Sequence, residues 1–149
     1  MSTIRGRVCL ITGASRSLGA EIARTMSTHG ARVAVNYHKS QGAASALCEK
    51  IAASGGVAHA IRADVAAADG VQHLVAETNR LIGPVDILVN NVGPYVDTPF
   101  LQMSLNDFDR ILAGNLRSTF MLSQRLGLAM KRRGRGHIIN IAATDYRNR

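Results

Sequence analysis

Short apolar runs alternate with longer helical patterns along the chain, and this alternation restricts the fold more than any other feature of the sequence. The apolar runs cover residues 8–11, 33–35, 57–61, 85–89 and 138–141. They contain few polar interruptions, which is typical of strands that are covered on both faces of a parallel sheet. The pattern therefore predicts an α/β fold with five parallel strands.

The segments between these strands repeat apolar residues at helical spacing, so each would bury one face of a helix on the sheet. One stripe comprises Leu18, Ile22, Ala23 and Met26, a second runs through 44–52, and a third through 71–82. Two further helices are predicted near 105–113 and 116–130. No internal repeat or linker interrupts the pattern, so residues 1–149 are predicted to form one domain.

The last predicted helix is apolar around most of its circumference. Its segment from Phe120 to Met130 includes Met121, Leu122, Leu126 and Leu128. A helix that faces solvent does not carry apolar residues on all sides, so another surface must cover it. We expect a partner subunit there, with a homo-oligomer as the favoured arrangement.

Several classes of protein are disfavoured by composition. No apolar stretch approaches the roughly 20 residues that cross a bilayer, and the N-terminus has no secretory pattern. Cys9 and Cys48 lie in apolar surroundings without the spacing of a metal or disulfide site. The five histidines also lack metal-ligand spacing, so no metal site is predicted. A cytoplasmic protein that does not bind membranes is the expectation.

The formal net charge of +8 raises the question of a nucleic-acid partner. Six Lys or Arg residues and one acid lie between 131 and 149, so much of the excess is local. The segment 131–135 ends a predicted helix, where cations complement the helix dipole and Gly134 can cap the last turn. Because no aromatic residues for base stacking are interleaved, this structural role is favoured and no nucleic-acid partner is predicted.

A glycine-containing turn follows the first strand and leads into the first helix. Gly13 permits the tight turn, and Gly19 permits close packing of the helix. Free backbone N–H groups at the start of a helix bind phosphate groups well. The order of strand, turn and helix therefore indicates a dinucleotide diphosphate site.

The end of the second strand indicates which dinucleotide would bind. An acid at this position usually binds the adenosine ribose, but no acid lies between Arg32 and Cys48. Arg16 and Lys39 can approach a 2′-phosphate, so NADP(H) is favoured over NAD(H). The alternative is that Arg16 and Lys39 are simply solvated.

Several motifs agree with this interpretation in their order and spacing. They are Thr12-Gly13 to Gly19, Asp64-Val65, Asn90-Asn91-Val92-Gly93, Asn115, and the strand within 136–141. In this combination the chain resembles the short-chain dehydrogenase/reductase family over essentially its whole length, and most resembles its 3-oxoacyl-acyl-carrier-protein reductases. The resemblance implies a Rossmann-type, doubly wound parallel sheet with strand order 3-2-1-4-5, without the family's C-terminal strands and helices.

The resemblance also implies the residues of the site. Asp64 would contact adenine, and Asn115 matches the helix asparagine of the family's catalytic set. The predicted cofactor-binding residues are Gly13, Ser15, Arg16, Ser17, Leu18, Gly19, Asn36, Lys39, Asp64, Val65, Asn91, Val92 and Gly93.

Three departures from the family pattern bear on activity. Ser17 replaces the middle glycine of the loop; its hydroxyl is expected either to cap the helix or to bind phosphate. Ala143 stands where the family has its catalytic serine, which leaves neighbouring Thr144 as a substitute hydroxyl or as a turn residue. The family's Tyr-x-x-x-Lys pair follows about a dozen residues beyond that serine, and these 149 residues end before it. Tyr146 has no lysine four residues on, so the role is not transferred to it.

Two functions are consistent with these features. The first is the cofactor half of an NADP(H)-dependent oxidoreductase that interconverts a carbonyl and a secondary alcohol, such as a 3-oxoacyl thioester. The second is a truncated, catalytically silent dinucleotide-binding module that pairs with another chain.

Overall fold

The computed structural model describes residues 4–142 and contains a five-stranded parallel sheet. The strands are β1 (Val8–Ile11), β2 (Arg32–Tyr37), β3 (Val57–Arg62), β4 (Ile87–Asn90) and β5 (His137–Asn140). Their order across the sheet is β3-β2-β1-β4-β5, and every neighbouring pair is parallel. The predicted strands and the predicted order are both confirmed.

Five α-helices connect the strands or follow them. They are α1 (Ser17–Thr28), α2 (Gln41–Ala53), α3 (Ala68–Leu81), α4 (Leu105–Leu112) and α5 (Ser118–Arg132). A π-helical segment, Ala113–Arg117, joins α4 to α5, so the two helices predicted here form one continuous helical run. Within residues 4–142, no helix is long and apolar enough to span a bilayer.

The sheet separates two apolar layers because alternate residues of each strand point to opposite faces. Leu10 and Leu88 pack on one face with side chains of α3 and α5, including Leu74 and Leu122. On the other face, β1 and β2 pack against α1 and α2, as Val33 does with Leu47. The predicted covering of both faces is confirmed for the central strands β1, β2 and β4.

Strands β3 and β5, at the two edges of the sheet, differ from that expectation: β3 buries only Ile61, and β5 is the more exposed of the two. It pairs with β4 on one side only, and all of its residues are exposed in the part of the chain that the structure describes. Ile138 and Ile139 keep 38% and 40% of their surface accessible. The apolar run predicted a strand correctly, but its neighbours decide whether the strand is buried.

The cationic segment after α5 behaves as predicted for a helix end. Helix α5 finishes with Lys131 and Arg132 in its last turn, and Gly134 adopts a positive φ of 66°. Arg133 and Arg135, which follow α5, extend their side chains toward Asp86, which lies just before β4. The basic cluster therefore serves to attach the end of α5 to the sheet.

Asp86 is the centre of a polar cluster at the amino-terminal edge of the sheet. Its Oδ2 accepts a hydrogen bond from the Val8 N–H at 3.2 Å, and its Oδ1 accepts one from Arg135 Nε at 3.2 Å. Arg7 and Arg133 place guanidinium nitrogens 3.7 Å and 4.0 Å from the same Oδ1. Because the Asp86 side chain is only 8% exposed, these partners compensate for the burial of its charge.

Both cysteines are free thiols. Burial raises the pKa of Cys9 to about 12, and burial together with neighbouring Glu49 raises the pKa of Cys48 to about 11. Both groups therefore stay protonated at neutral pH and are poor nucleophiles. Cys9 lies in the core, whereas Cys48 is partly buried and packs against it.

We expect Asp86→Asn to lower the free energy of unfolding by about 2 kcal/mol, because the change removes the charge that Arg7, the Val8 N–H and the two arginines after α5 share. The matched control is Glu21→Gln, which removes an exposed ion pair with Arg24 and should cost less than about 0.5 kcal/mol. Urea denaturation of both variants measures the difference. Equal losses would show that the Asp86 cluster is no more than a surface ion pair.

Candidate functional site

A cleft of about 660 Å³ opens beyond the carboxyl ends of the strands. It lies where β1 and β4 are neighbours in the sheet although they are far apart in sequence. The connections from these two strands leave in opposite directions, and such a switch point is where doubly wound sheets bind their ligands. The glycine turn after β1 and the segment 91–94 after β4 both line the cleft.

The glycine turn is packed too closely for side chains at two positions. Gly13 has a φ of 60°, and a Cβ on it would lie 2.8 Å from Val92 Cγ2. A Cβ on Gly19 would lie 2.7 Å from Asn91 Nδ2 and 2.8 Å from the Gly13 carbonyl oxygen. Both glycines therefore allow the backbone of α1 to approach the end of β4.

Thr12 and Asn91 hold the two sides of the switch point together. Thr12 Oγ1 accepts hydrogen bonds from the Asn91 N–H at 2.9 Å and the Val92 N–H at 3.0 Å. Asn91 Nδ2 in turn donates to the Thr12 carbonyl at 2.9 Å. These bonds satisfy backbone donors that have left the sheet ladder, and they fix the spacing between the turn and the β4 loop.

Asn36 supports the turn from behind. Its side chain is buried within β2, where Nδ2 donates to the Ala63 carbonyl at 3.1 Å and Oδ1 accepts from the Gly13 N–H at 3.2 Å. The Asn36 carbonyl also accepts from the Ala14 N–H at 2.9 Å. One side chain thus links β2, the end of β3 and the phosphate-type turn.

Ser17 occupies a conformation that favours glycine. It is the first residue of α1 and has a φ of 50°. Among the described residues, no other residue except glycine has a positive φ. A side chain in this region costs about 1–2 kcal/mol. Arg16 holds the N-cap position and no side chain caps the helix, so the capping role for the Ser17 hydroxyl is not formed. Its alternative role as a phosphate ligand stays a prediction.

Charged groups gather at the end of the cleft formed by the loops after β1, β2 and β3. Arg16, Lys39 and Asp64 line it, and His38 lines the same cleft. His38 Nδ1 is 4.0 Å from Asp64 Oδ2. The other carboxylate oxygen of Asp64 accepts from the Ala66 N–H at 3.0 Å, which orients the side chain.

Helix α4 contributes a further cation to the lining. Arg110 lies beside Asp107, with its Nη2 2.9 Å from Asp107 Oδ1. Hydrogen bonds from Ser104 and Arg110 hold the pKa of Asp107 below its usual range. Ser104 caps α4 by accepting from the Asp107 N–H at 3.1 Å. The ion pair therefore stands on a well-capped helix end.

Asn115 lies in the π-helical segment, next to the cleft but outside its lining. Its Nδ2 donates to the carbonyls of Pro94 and Ile111, both at 3.0 Å. Ile111 lies one turn earlier in the same helical run, so that bond is local. The bond to Pro94 joins the helical run to the loop after β4. Ala143 and Thr144 lie outside the described residues.

The fold brings all of the predicted cofactor-binding residues to one cleft, and their role as ligands stays a prediction. Sequence reasoning did not single out His38 and Arg110 as members of the lining. His38 had a usable signal, because it follows the end of β2 directly. Arg110 had none, since only folding brings α4 to the cleft. Within residues 4–142, no group of three or more His, Cys, Asp or Glu side chains is arranged to hold a metal ion.

A parallel sheet of this order with a glycine turn at its switch point defines a Rossmann-type α/β protein. The sequence profile of the family described as short chain dehydrogenase matches residues 7–147. The chain belongs to the short-chain dehydrogenase/reductase family.

Named relatives agree with this assignment. The chain is 37% identical over 143 residues to the ketoacyl reductase HetN of Nostoc sp., covering 96% of this chain and 50% of that protein. It is 38% identical to a 3-oxoacyl-[acyl-carrier-protein] reductase of Synechocystis sp., covering 96% and 58%. The chain thus spans about half the length of these relatives.

A solved structure extends the comparison. A metagenomic short-chain oxidoreductase in complex with NADP superimposes with a TM-score of 0.90 at 33% sequence identity. The match covers 99% of this chain and 67% of that chain. The fold described here is therefore shared with a protein that binds NADP.

Gly19→Ala is expected to lower the free energy of unfolding by about 2 kcal/mol, because its methyl group would overlap the Gly13 carbonyl and the Asn91 amide. Gly42→Ala is the matched control, since nothing lies within 4 Å of the added methyl on α2. The control should raise the stability by up to about 1 kcal/mol, as alanine favours helix. Thermal unfolding of both variants tests this, and a stable Gly19→Ala protein would contradict the packing of the turn.

Proposed function

We propose that this chain binds NADP(H) in the cleft between the loops of β1 and β4. The observation that carries the proposal is the position of Arg16 and Lys39 beside the glycine turn, with no carboxylate between Arg32 and Cys48. A phosphorylated ribose favours cations and disfavours an acid at this place. The complex of a 33% identical relative with NADP supports the same choice.

The residues present fit such a ligand. The N–H groups of the first turn of α1, at Ser17 and Leu18, have no acceptor within the helix and suit a diphosphate. Arg16 and Lys39 would bind the 2′-phosphate, and Asp64 with Val65 would bind the adenine. The two glycines leave room for a backbone contact that a Cβ would block.

The remaining predicted residues would serve the nicotinamide half. Asn91, Val92 and Gly93 line the cleft beyond the turn, and Asn115 adjoins them through Pro94. When bound, the nicotinamide ring supplies or accepts a hydride. The chain's own part is to hold the coenzyme at the switch point and to keep the β4 loop rigid through Thr12 and Asn91.

The reaction we propose is the interconversion of a carbonyl and a secondary alcohol, with a 3-oxoacyl thioester as the substrate class. The support comes from the relatives named for 3-oxoacyl or ketoacyl reduction. Thr144 lies outside the described residues, and its two roles, a substitute hydroxyl or a turn residue, both stay predictions. The alternative, a catalytically silent binding module that pairs with another chain, is supported by Ala143 at the position of the family's catalytic serine.

Fluorescence titration with NADPH and NADH tests the cofactor assignment. We expect NADPH to bind more tightly, and the double variant R16A/K39A to weaken NADPH binding about tenfold or more while NADH binding changes little, because charge-assisted bonds to phosphate are lost. Lys50→Ala is the control, since Lys50 is an exposed cation on α2 outside the cleft. Equal affinity for both nucleotides would refute the choice of NADP(H), and binding of neither would refute the proposed function.

A large apolar surface on α4 and α5 supports association between copies of this chain. Leu105 is 81% exposed, Leu116 is 64% exposed and Phe120 is 59% exposed. Exposed apolar side chains that cluster on a surface mark interaction sites more often than free surface. We propose that this surface, defined by Leu105, Leu116, Phe120 and Leu128, joins two copies, as the sequence predicted for the helix from Phe120 to Met130.

Phe120→Arg should shift the protein toward the monomer, because it places a charge within the apolar surface. Gln72→Arg is the control, as it adds the same charge at an exposed polar position of α3, away from this surface. Size-exclusion chromatography with light scattering measures the mass of each. A monomeric wild-type chain at micromolar concentration would overturn the proposed association.

A further inference from the structure

Arg110 lines the cleft from α4, and the proposed function gives it no role. Its side chain is 56% exposed, and its Nη2 lies 2.9 Å from Asp107 Oδ1, one turn earlier on the same helix. A carboxylate binds a guanidinium at its N–H edge, in the plane of the group, which leaves the flat faces available. The ion pair therefore orients the guanidinium before any ligand binds.

The wall that carries Arg110 is otherwise formed by backbone. Gly114 lies four residues later in the same helical run and also lines the cleft. A Cβ on Gly114 would overlap the ring of Pro94, so this position has no room for a larger residue. Among residues 105–117, all of which the structure describes, Arg110 alone contributes a side chain other than hydrogen to the lining.

The opposite wall is the loop after β3, where Asp64 and Val65 line the cleft. This loop leads into α3, and α4 leads through the π-helical segment into α5. Helices α3 and α5 pack on the same face of the sheet, with Leu74 and Leu122 in one apolar cluster. Because β2 and β1 separate β3 from β4 in the sheet, a slot opens on this face between the two walls. A flat ring fits such a slot.

We propose that the guanidinium of Arg110 stacks on the adenine ring of the bound dinucleotide, on the side opposite Val65. This inference rests on the proposed binding of NADP(H), which brings the adenine to Asp64 and Val65. A guanidinium is planar and weakly hydrated, so it stacks on an aromatic face in a way that an ammonium group does not. Because the contact is to the base, it strengthens the binding of NADPH and of NADH by the same factor.

Fluorescence titration of Arg110→Ala with NADPH and with NADH tests this contact. We expect both dissociation constants to rise about fivefold, the size of a partly exposed cation–π contact. Arg110→Lys keeps the charge without the flat face and should recover little of the loss. The matched control is Arg80→Ala, which removes an ion pair of the same spacing, that with Glu77, from α3 outside the cleft lining. It should bind both nucleotides as the wild type does.

Several results would overturn the stacking and leave the proposed function intact. A rise for NADPH alone would assign Arg110 to the 2′-phosphate, and full recovery in Arg110→Lys would assign it to a contact between charges. Unchanged affinity in Arg110→Ala, or equal weakening in Arg80→Ala, would remove any contact of Arg110 with the base. Failure of the wild type to bind either nucleotide would instead overturn the proposed function, and this inference with it.

Discussion

The hydrogen bonds between Thr12 and the β4 loop are the contacts on which the rest of the cleft depends. The backbone N–H groups of Asn91 and Val92 follow the end of β4, and both donate hydrogen bonds to the Thr12 hydroxyl. Without that acceptor, both donors would be partly buried and unpaired. The same contacts bring Gly13 against Val92, so they fix both the shape of the glycine turn and its packing on the end of β4.

Charged residues lie at both ends of the parallel strands, in different surroundings. At the amino-terminal edge, Asp86 gathers Arg7, Arg133 and Arg135, and the buried charge is compensated by hydrogen bonds and ion pairs. At the carboxyl ends of the strands, Arg16, Lys39 and Asp64 line an open cleft. The charges at the amino-terminal end stabilise the fold, whereas the charges at the carboxyl end line the cleft.

Much of the fold was predictable because its signals are local. Each strand is a short apolar run, each helix an apolar stripe, and the turn from Gly13 to Gly19 has a recognisable spacing. The predicted cofactor-binding residues all line one cleft. Other features were not predictable from local pattern. The union of α4 with α5 depends on a π-helical segment in which Asn115 bonds to Pro94 and Ile111, and the exposure of β5 depends on which neighbours it has.

The sequence by itself determined the strand and helix periodicity, the glycine turn and the absence of an acid after β2, because each is a property of residues close together in the chain. Only the tertiary structure decided that His38 stands 4.0 Å from Asp64, that Arg110 reaches the same cleft, and that Ser17 carries a positive φ. These features arise from segments that are distant in sequence or from backbone geometry that neighbours impose. For the contact between His38 and Asp64, the physical cause is the parallel pairing of β2 with β3, which brings the loops after these strands to the same end of the sheet.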